Sequence, residues 1–177
     1  MQGAGGVGRP LARLLAEAGA RVVVTDAVPE RARALAEAVG GTTVDAEAAY
    51  DTECDIFAPC AVGAVINRET IPRLRCRIVA GSANNQLDTD ADADRLADRG
   101  ILYVPDFIIN AGGAVAHGIL EFLDWPESEV EPRVRRIGAA VGSVLDDAER
   151  GTPLAAAVRR ARGYIESIRE GTGRGDA

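Results

Sequence analysis

At 177 residues with a net charge of −7, the chain has room for one domain with a real core and lacks the basic stripe that nucleic acid requires. Hydrophobic residues make up 47% and charged residues 27%, a soluble globular balance, and no apolar run approaches the ~20 residues of a membrane span. All 20 basic residues are Arg, so no lysine here can act as a base or form a Schiff base.

The chain opens on MQGAGGVGRPLARLLAEAGARVVVTD. Gly3-x-Gly5-x-x-Gly8 leads into a predicted helix with Val7, Leu11, Leu14, Leu15 and Ala18 as its apolar stripe and Gly19 as its stop. The apolar strand Arg21 to Thr25 follows, and Asp26 stands at its C-terminal end. Together these form the dinucleotide-binding fingerprint. Gly3 permits a tight turn, Gly5 leaves room for a pyrophosphate and Gly8 lets the helix sit close to the sheet. The helix N-terminus then favours the phosphate charge. Glycine is common, at 20 of 177, so the strand–helix–strand context carries the reading; a βαβ turn with packing glycines is the alternative. Asp26 favours NAD over NADP, because a carboxylate accepts from a ribose 2′-OH and repels a 2′-phosphate. Its alternative role is a turn residue.

The strand feeding the glycine turn is reduced to Met1 and Gln2. That strand belongs in the middle of such a sheet, where about five or six residues are usual. The sequence is therefore expected to be a piece of a longer chain, through a misassigned start codon or a truncated reading frame.

A helix is predicted over Pro29 to Val39, with Gly40-Gly41 beyond its end. Strands are predicted at Thr42 to Val44, Cys54 to Ala58, Arg77 to Ala80 and Ile101 to Val104, and short helices at Glu69 to Leu74 and Asp92 to Arg99. Each strand ends in a small or polar cluster, and in an open parallel sheet those ends line the ligand crevice. From Ile108 the pattern is helical: a run reaching Trp125, a capping box at Ser128-x-x-Glu131, and a stripe of Val130, Val134, Ile137, Val141 and Leu145. Thr152-Pro153 reads as a helix start, and Leu154, Val158, Ala161, Ile165 and Ile168 as a last stripe. Cys54, Cys60 and Cys76 fit neither a disulfide framework nor a zinc spacing, and the single histidine, His117, reads as a helix residue, so no metal site is expected.

Three strand-end motifs then follow the fingerprint in order: CDIFAPCAVGAVIN (54–67), AGSANNQL (80–87) and GILYVPDFIINAGG (100–113). They resemble the NAD-binding, C-terminal domain of the Glu/Leu/Phe/Val dehydrogenase family, closest to its leucine and valine branch. The likeness runs from about Gln2 to Gly113 and beyond that fades to a shared helical pattern. It implies oxidative deamination of an L-amino acid to a 2-keto acid and ammonia, with hydride transfer to NAD. In the family the catalytic Lys and Asp lie in a separate N-terminal domain that also builds the oligomer. No catalytic residue is therefore expected in this chain, which by itself is expected to be inactive.

The resemblance implies cofactor contacts only. Gly3, Gly5, Gly6, Val7 and Gly8 cradle the pyrophosphate, Asp26 with Ala27 holds the adenosine ribose, and Cys60-Ala61 lies beside the cofactor as a small, tight contact. Ala83 and Asn84 serve the nicotinamide or its ribose, Asn85 reaches toward substrate, and Asn110 holds the nicotinamide end; each Asn could equally be a turn or cap residue.

The fold class expected is α/β, a Rossmann-type doubly wound, mostly parallel sheet with its first strand largely missing, plus C-terminal helices. The NAD-binding part spans 1–125, a helical extension 126–170 and a disordered tail 171–177. The partner expected is a small-molecule L-amino acid or 2-keto acid bound through the other domain, with no nucleic acid and no membrane. A homo-oligomer and a cytoplasmic location fit this reading. Leucine, valine and phenylalanine all stay open as substrates. The alternatives are a stand-alone NAD-binding module and an inactive truncated remnant.

Overall fold

The structure, a computed structural model, describes residues 1–172. The tail expected from 171 lies, from residue 173 on, outside the described residues. The chain begins with helix α1 (Gly8–Glu17), strand β1 (Val23–Val24), helix α2 (Pro29–Val39) and strand β2 (Thr42–Thr43). Strands β3 (Ile56–Phe57), β4 (Ile78–Val79) and β5 (Leu102–Tyr103) follow, with helix α3 (Ala91–Asp98) before β5. All strand pairs are parallel, β1 with β2 and β3 with β4 with β5. This is the expected Rossmann-like α/β architecture, with helices to its C-terminal side.

The two sheets meet at one residue. Gln2 bridges Thr25 on one side and Pro59 on the other, both parallel. Its N–H donates to the Ala58 carbonyl at 2.9 Å and its carbonyl accepts from the Cys60 N–H at 2.7 Å. On the other flank the Thr25 N–H donates to the Met1 carbonyl, and the Gly3 N–H to the Thr25 carbonyl. The short segment before the glycine turn thus occupies the middle of the sheet and sets the order β2-β1-Gln2-β3-β4-β5.

The core has two main parts. Ala4, Ala12, Val22, Val24, Ala32, Leu35 and Ala36 pack under α1 and α2. Phe57, Ile66, Leu74, Val79, Leu96 and Tyr103 lead a larger cluster around β3–β5 and α3.

The apolar stripe predicted for α1 is only in part its inner face: Leu11 and Leu15 are half-buried, and Leu15 packs against the core. Val7 and Leu14 are 60% and 63% exposed, while Gly8 and Ala12 are buried. Small residues let this helix approach the sheet more closely than a leucine face would, and Val7 and Leu14 are left on its outer side. Cys54 and Cys76 are half-buried rather than fully buried free thiols, and burial pushes both thiols above their ordinary pKa.

Beyond β5 come helices α4 (Asp106–Ile109), α5 (Gly112–His117), α6 (Val130–Val134), α7 (Arg136–Asp146) and α8 (Pro153–Thr172). The run expected to reach Trp125 passes from α5 into a wider π-helical turn, Gly118–Phe122. Ser128 caps nothing through its side chain; Glu131 accepts from Arg135 instead, and Glu129 from Arg133, because helical i,i+4 pairing wins over a box. Thr152 does cap α8, its hydroxyl accepting from the Ala155 N–H at 3.3 Å. The start of α8 is packed through Ala156 and Ala157 against Val144. Tyr164, Ile165 and Ile168 are exposed, while Leu154 at the other end of the last predicted stripe packs against the larger cluster. Among the described residues no helix is long and apolar enough to cross a membrane.

Candidate functional site

The site is built at the C-terminal ends of the strands. Gly3 has φ +110, a conformation that L side chains rarely adopt. A Cβ there would stand 2.8 Å from the Cys60 carbonyl oxygen and 3.0 Å from the Ala61 Cβ. Gly8 lies against the Gly3 carbonyl so closely that a Cβ would collide with it. Around Gly5 and Gly6 there is open space. The loop is therefore packed tightly underneath and open above, and Val7 at its end is exposed. Cys60 and Ala61 are held directly beside it.

Asp26 does more than end β1. Its Oδ2 accepts from the Ala4 N–H at 2.7 Å and its Oδ1 from the Val28 N–H at 2.9 Å. The carboxylate thus ties the glycine loop to the turn after β1. Desolvation pushes the Asp26 carboxyl up, but the two backbone N–H groups, with Arg31 and Arg9 nearby, outweigh it and hold the pKa below 3.8. Next to Asp26 and the exposed Ala27 is a cleft of about 310 Å³, lined also by Ala32, Arg33, Thr43 and Asp45. A folded carboxyl that is more acidic than the unfolded one contributes stability above the unfolded pKa. That contribution is lost as pH falls through the folded value. Asp26→Asn is therefore expected to lower the thermal midpoint at neutral pH and to converge with the unaltered chain once pH drops below the folded pKa. Melting curves across the acid range check this.

The other half of the crevice comes from β4 and β5. The Ala83 N–H donates to the Pro59 carbonyl at 2.9 Å, which sets the 80–87 loop beside the end of β3. Asn110, the residue after α4, donates through Nδ2 to Asn84 Oδ1 at 2.6 Å. The two amides read separately from the sequence thus form one pair. Asn85 sits in the left-handed region at φ +50, which Asn tolerates, and its carbonyl accepts from the Ala64 N–H at 2.7 Å. Its side chain is exposed beyond the pair.

Three supporting residues were not singled out in the sequence. Gln86 is fully buried, and its Nε2 donates to the carbonyls of Gly81 at 2.8 Å and Ala83 at 3.0 Å. Asp106 accepts from the Phe107 N–H at 2.9 Å and from the Tyr103 hydroxyl at 3.3 Å. Burial and the Asp106 charge push the Tyr103 phenol well above its ordinary pKa, so it stays a donor. These contacts fix the loops that present Asn84 and Asn110. Among the described residues no group of His, Cys, Asp and Glu is placed to hold a metal ion.

Residues 24–161 match the sequence model of the Glutamate/Leucine/Phenylalanine/Valine dehydrogenase family. The chain is 42% identical over 172 residues to leucine dehydrogenase from Thermoactinomyces intermedius, covering 96% of this chain and 47% of that one. It is 48% identical over 122 residues to phenylalanine dehydrogenase from Bacillus thermotolerans, covering 65% of this chain and 31% of that one. The crystal structure of L-tryptophan dehydrogenase from Nostoc punctiforme superposes with a TM-score of 0.88 at 36% identity, over 94% of this chain and 51% of that one. The chain thus spans about half the length of the relatives it matches. On this match of sequence and fold, the chain belongs to the glutamate/leucine/phenylalanine/valine dehydrogenase family, whose members are NAD-dependent amino-acid dehydrogenases.

Proposed function

We propose that this chain is the coenzyme-binding part of an NAD-dependent dehydrogenase of the leucine and valine branch. Its reaction is oxidative deamination of a branched-chain or other apolar L-amino acid to the 2-keto acid and ammonia. One observation carries the reading: the glycine loop, Asp26, Cys60-Ala61, Ala83-Asn84 and Asn110 stand along one row of strand ends. The leucine, phenylalanine and tryptophan dehydrogenases among its relatives agree with an apolar substrate.

The residues fit the coenzyme. A cradle that is packed below Gly3 and Gly8 and open above Gly5 and Gly6 accommodates a pyrophosphate on backbone N–H groups. Asp26 and Ala27 face the adenosine ribose, where the carboxylate selects a 2′-OH. Asn84 and Asn110 orient the nicotinamide end, Cys60 and Ala61 bound it, and Asn85 lies nearest the substrate. Bound there, NAD accepts a hydride from the amino acid's Cα. A lysine base would have to come from outside these 177 residues, which contain no lysine. Residues 1–125 would form the NAD-binding part and 126–170 its helical extension. Three free cysteines suit the reducing cytoplasm.

Calorimetric titration of the folded chain with NAD tests the reading. Binding without NADH formation from leucine or valine is expected. A folded chain that ignores NAD would sink the proposal, and amino-acid-dependent NADH formation by this chain alone would place the catalytic base within it. Asn84→Ala and Asn110→Ala should each weaken NAD binding about three- to tenfold. The double variant should lose less than the product of the two, because the amides bond each other.

A further inference from the structure

Arg9 is the second residue of α1, and its guanidinium is not used as a surface arginine usually is. Its Nε donates to the Ala4 carbonyl at 2.9 Å. The Ala4 N–H is at the same time held by Asp26. Ala4, fully buried, is thus gripped from both sides by groups of opposite charge. Asp26 accepts from the Ala4 and Val28 N–H groups and forms no ion pair with Arg9, although Arg9 is near enough to make the carboxyl more acidic. Among the described residues neither terminal nitrogen of Arg9 has a partner. The side chain is exposed, and the space over Gly5 and Gly6 is open. The first turn of α1 carries no acidic residue to compete.

We infer that Arg9 is a diphosphate-binding residue, its terminal nitrogens donating to the phosphate oxygens of a dinucleotide seated on the glycine loop. This rests on the cofactor reading of that loop. The Nε bond to Ala4 fixes the plane of the guanidinium, so little side-chain freedom is lost when the fork meets an anion. In a chain of net charge −7, a placed cation at this point also offsets the repulsion that a phosphate meets on approach. Arg9 therefore has two faces, one holding the loop and one holding the ligand.

Binding of NAD, ADP and adenosine to the full chain separates those faces. In Arg9→Gln, affinity for NAD and for ADP is expected to fall about tenfold while that for adenosine, which has no phosphate, stays unchanged. Arg9→Lys should recover part of the loss, and added salt should weaken ADP less in Arg9→Gln than in the unaltered chain. Equal losses for ADP and adenosine would mean that Arg9 only holds the loop, and would overturn the inference. So would unchanged ADP binding in Arg9→Gln by a chain that binds NAD. If the folded, unaltered chain binds neither NAD nor ADP, the cofactor reading falls, and Arg9's part with it. Should Arg9→Gln not fold, Arg9→Lys decides: ADP binding that loses its salt dependence there would count against a charge contact.

Discussion

Gly8→Ala is expected to abolish measurable NAD binding and to destabilise the chain by about 1–3 kcal/mol or more. The added methyl would collide with the carbonyl oxygen of Gly3, which is backbone and has no rotamer to escape into. Gly3 is itself pinned by its N–H bond to Thr25 and by contact with Cys60 and Ala61. The strain must therefore be relieved by moving α1 off the sheet. That shift carries away the N–H groups of the helix start and the Ala4 peptide held by Asp26 and Arg9. Gly5→Ala is the matched control, because a Cβ there meets nothing in the protein. It should leave the melting temperature nearly unchanged, and any affinity it loses measures how closely a ligand approaches the loop. Urea unfolding and NAD titration of the two variants check both statements.

Leu96→Ala is expected to be the most damaging single core truncation. Leu96 on α3 is fully buried in the larger cluster, with Ile66, Leu74 and Val79 among its members. Large-to-small changes at such sites cost about 2–5 kcal/mol, from lost transfer energy and the cavity left behind. For a chain of this size that corresponds to a fall in melting temperature of about 4–20 °C. The same helix ends beside Arg99, whose guanidinium donates to the carbonyls of Ile71 and Leu74. Collapse around the missing leucine would pull on that link and on the start of β5. Because β5 leads through Tyr103 and Asp106 to Asn110, NAD affinity should fall as well. Differential scanning calorimetry and NAD titration of the same variant test whether the two losses go together.

The parallel α/β class, its strands and the helices between them were legible because each element depends on local pattern. Val22 to Val24 reads as a buried strand whatever packs on it, and Gly3, Gly8 and Asp26 stand at spacings that only a turn into a helix explains. What escaped depends on partners distant in sequence. The stripe of α1 was taken from its largest apolar residues, but Gly8 and Ala12 face the sheet because the distance of approach, not hydrophobicity alone, selects the inner face. The last stripe was read as one apolar face, yet Leu154 packs on the core while Ile165 and Ile168 are 49% and 48% exposed. Asn84 was readable as a polar residue at a strand end and Asn110 from the family resemblance, yet their mutual bond joins positions 26 residues apart. Gln86 and Asp106 were not singled out, since nothing in a single sequence distinguishes a polar side chain that faces water from one that holds a buried loop.

Among the described residues Gln2 is the one bridged to both sheets, and that junction gives the molecule a seam. Asp26 stands on one side of it, and Asn84 and Asn110 on the other. A dinucleotide reaching from the first to the second would act as a clamp across the seam. Its affinity and the cohesion of the two blocks would then be a single linked equilibrium. Whatever loosens the junction would weaken binding without touching a contact residue, and whatever binds would knit the blocks together. The coenzyme would be in this sense a structural member of the fold, completing laterally what Gln2 begins.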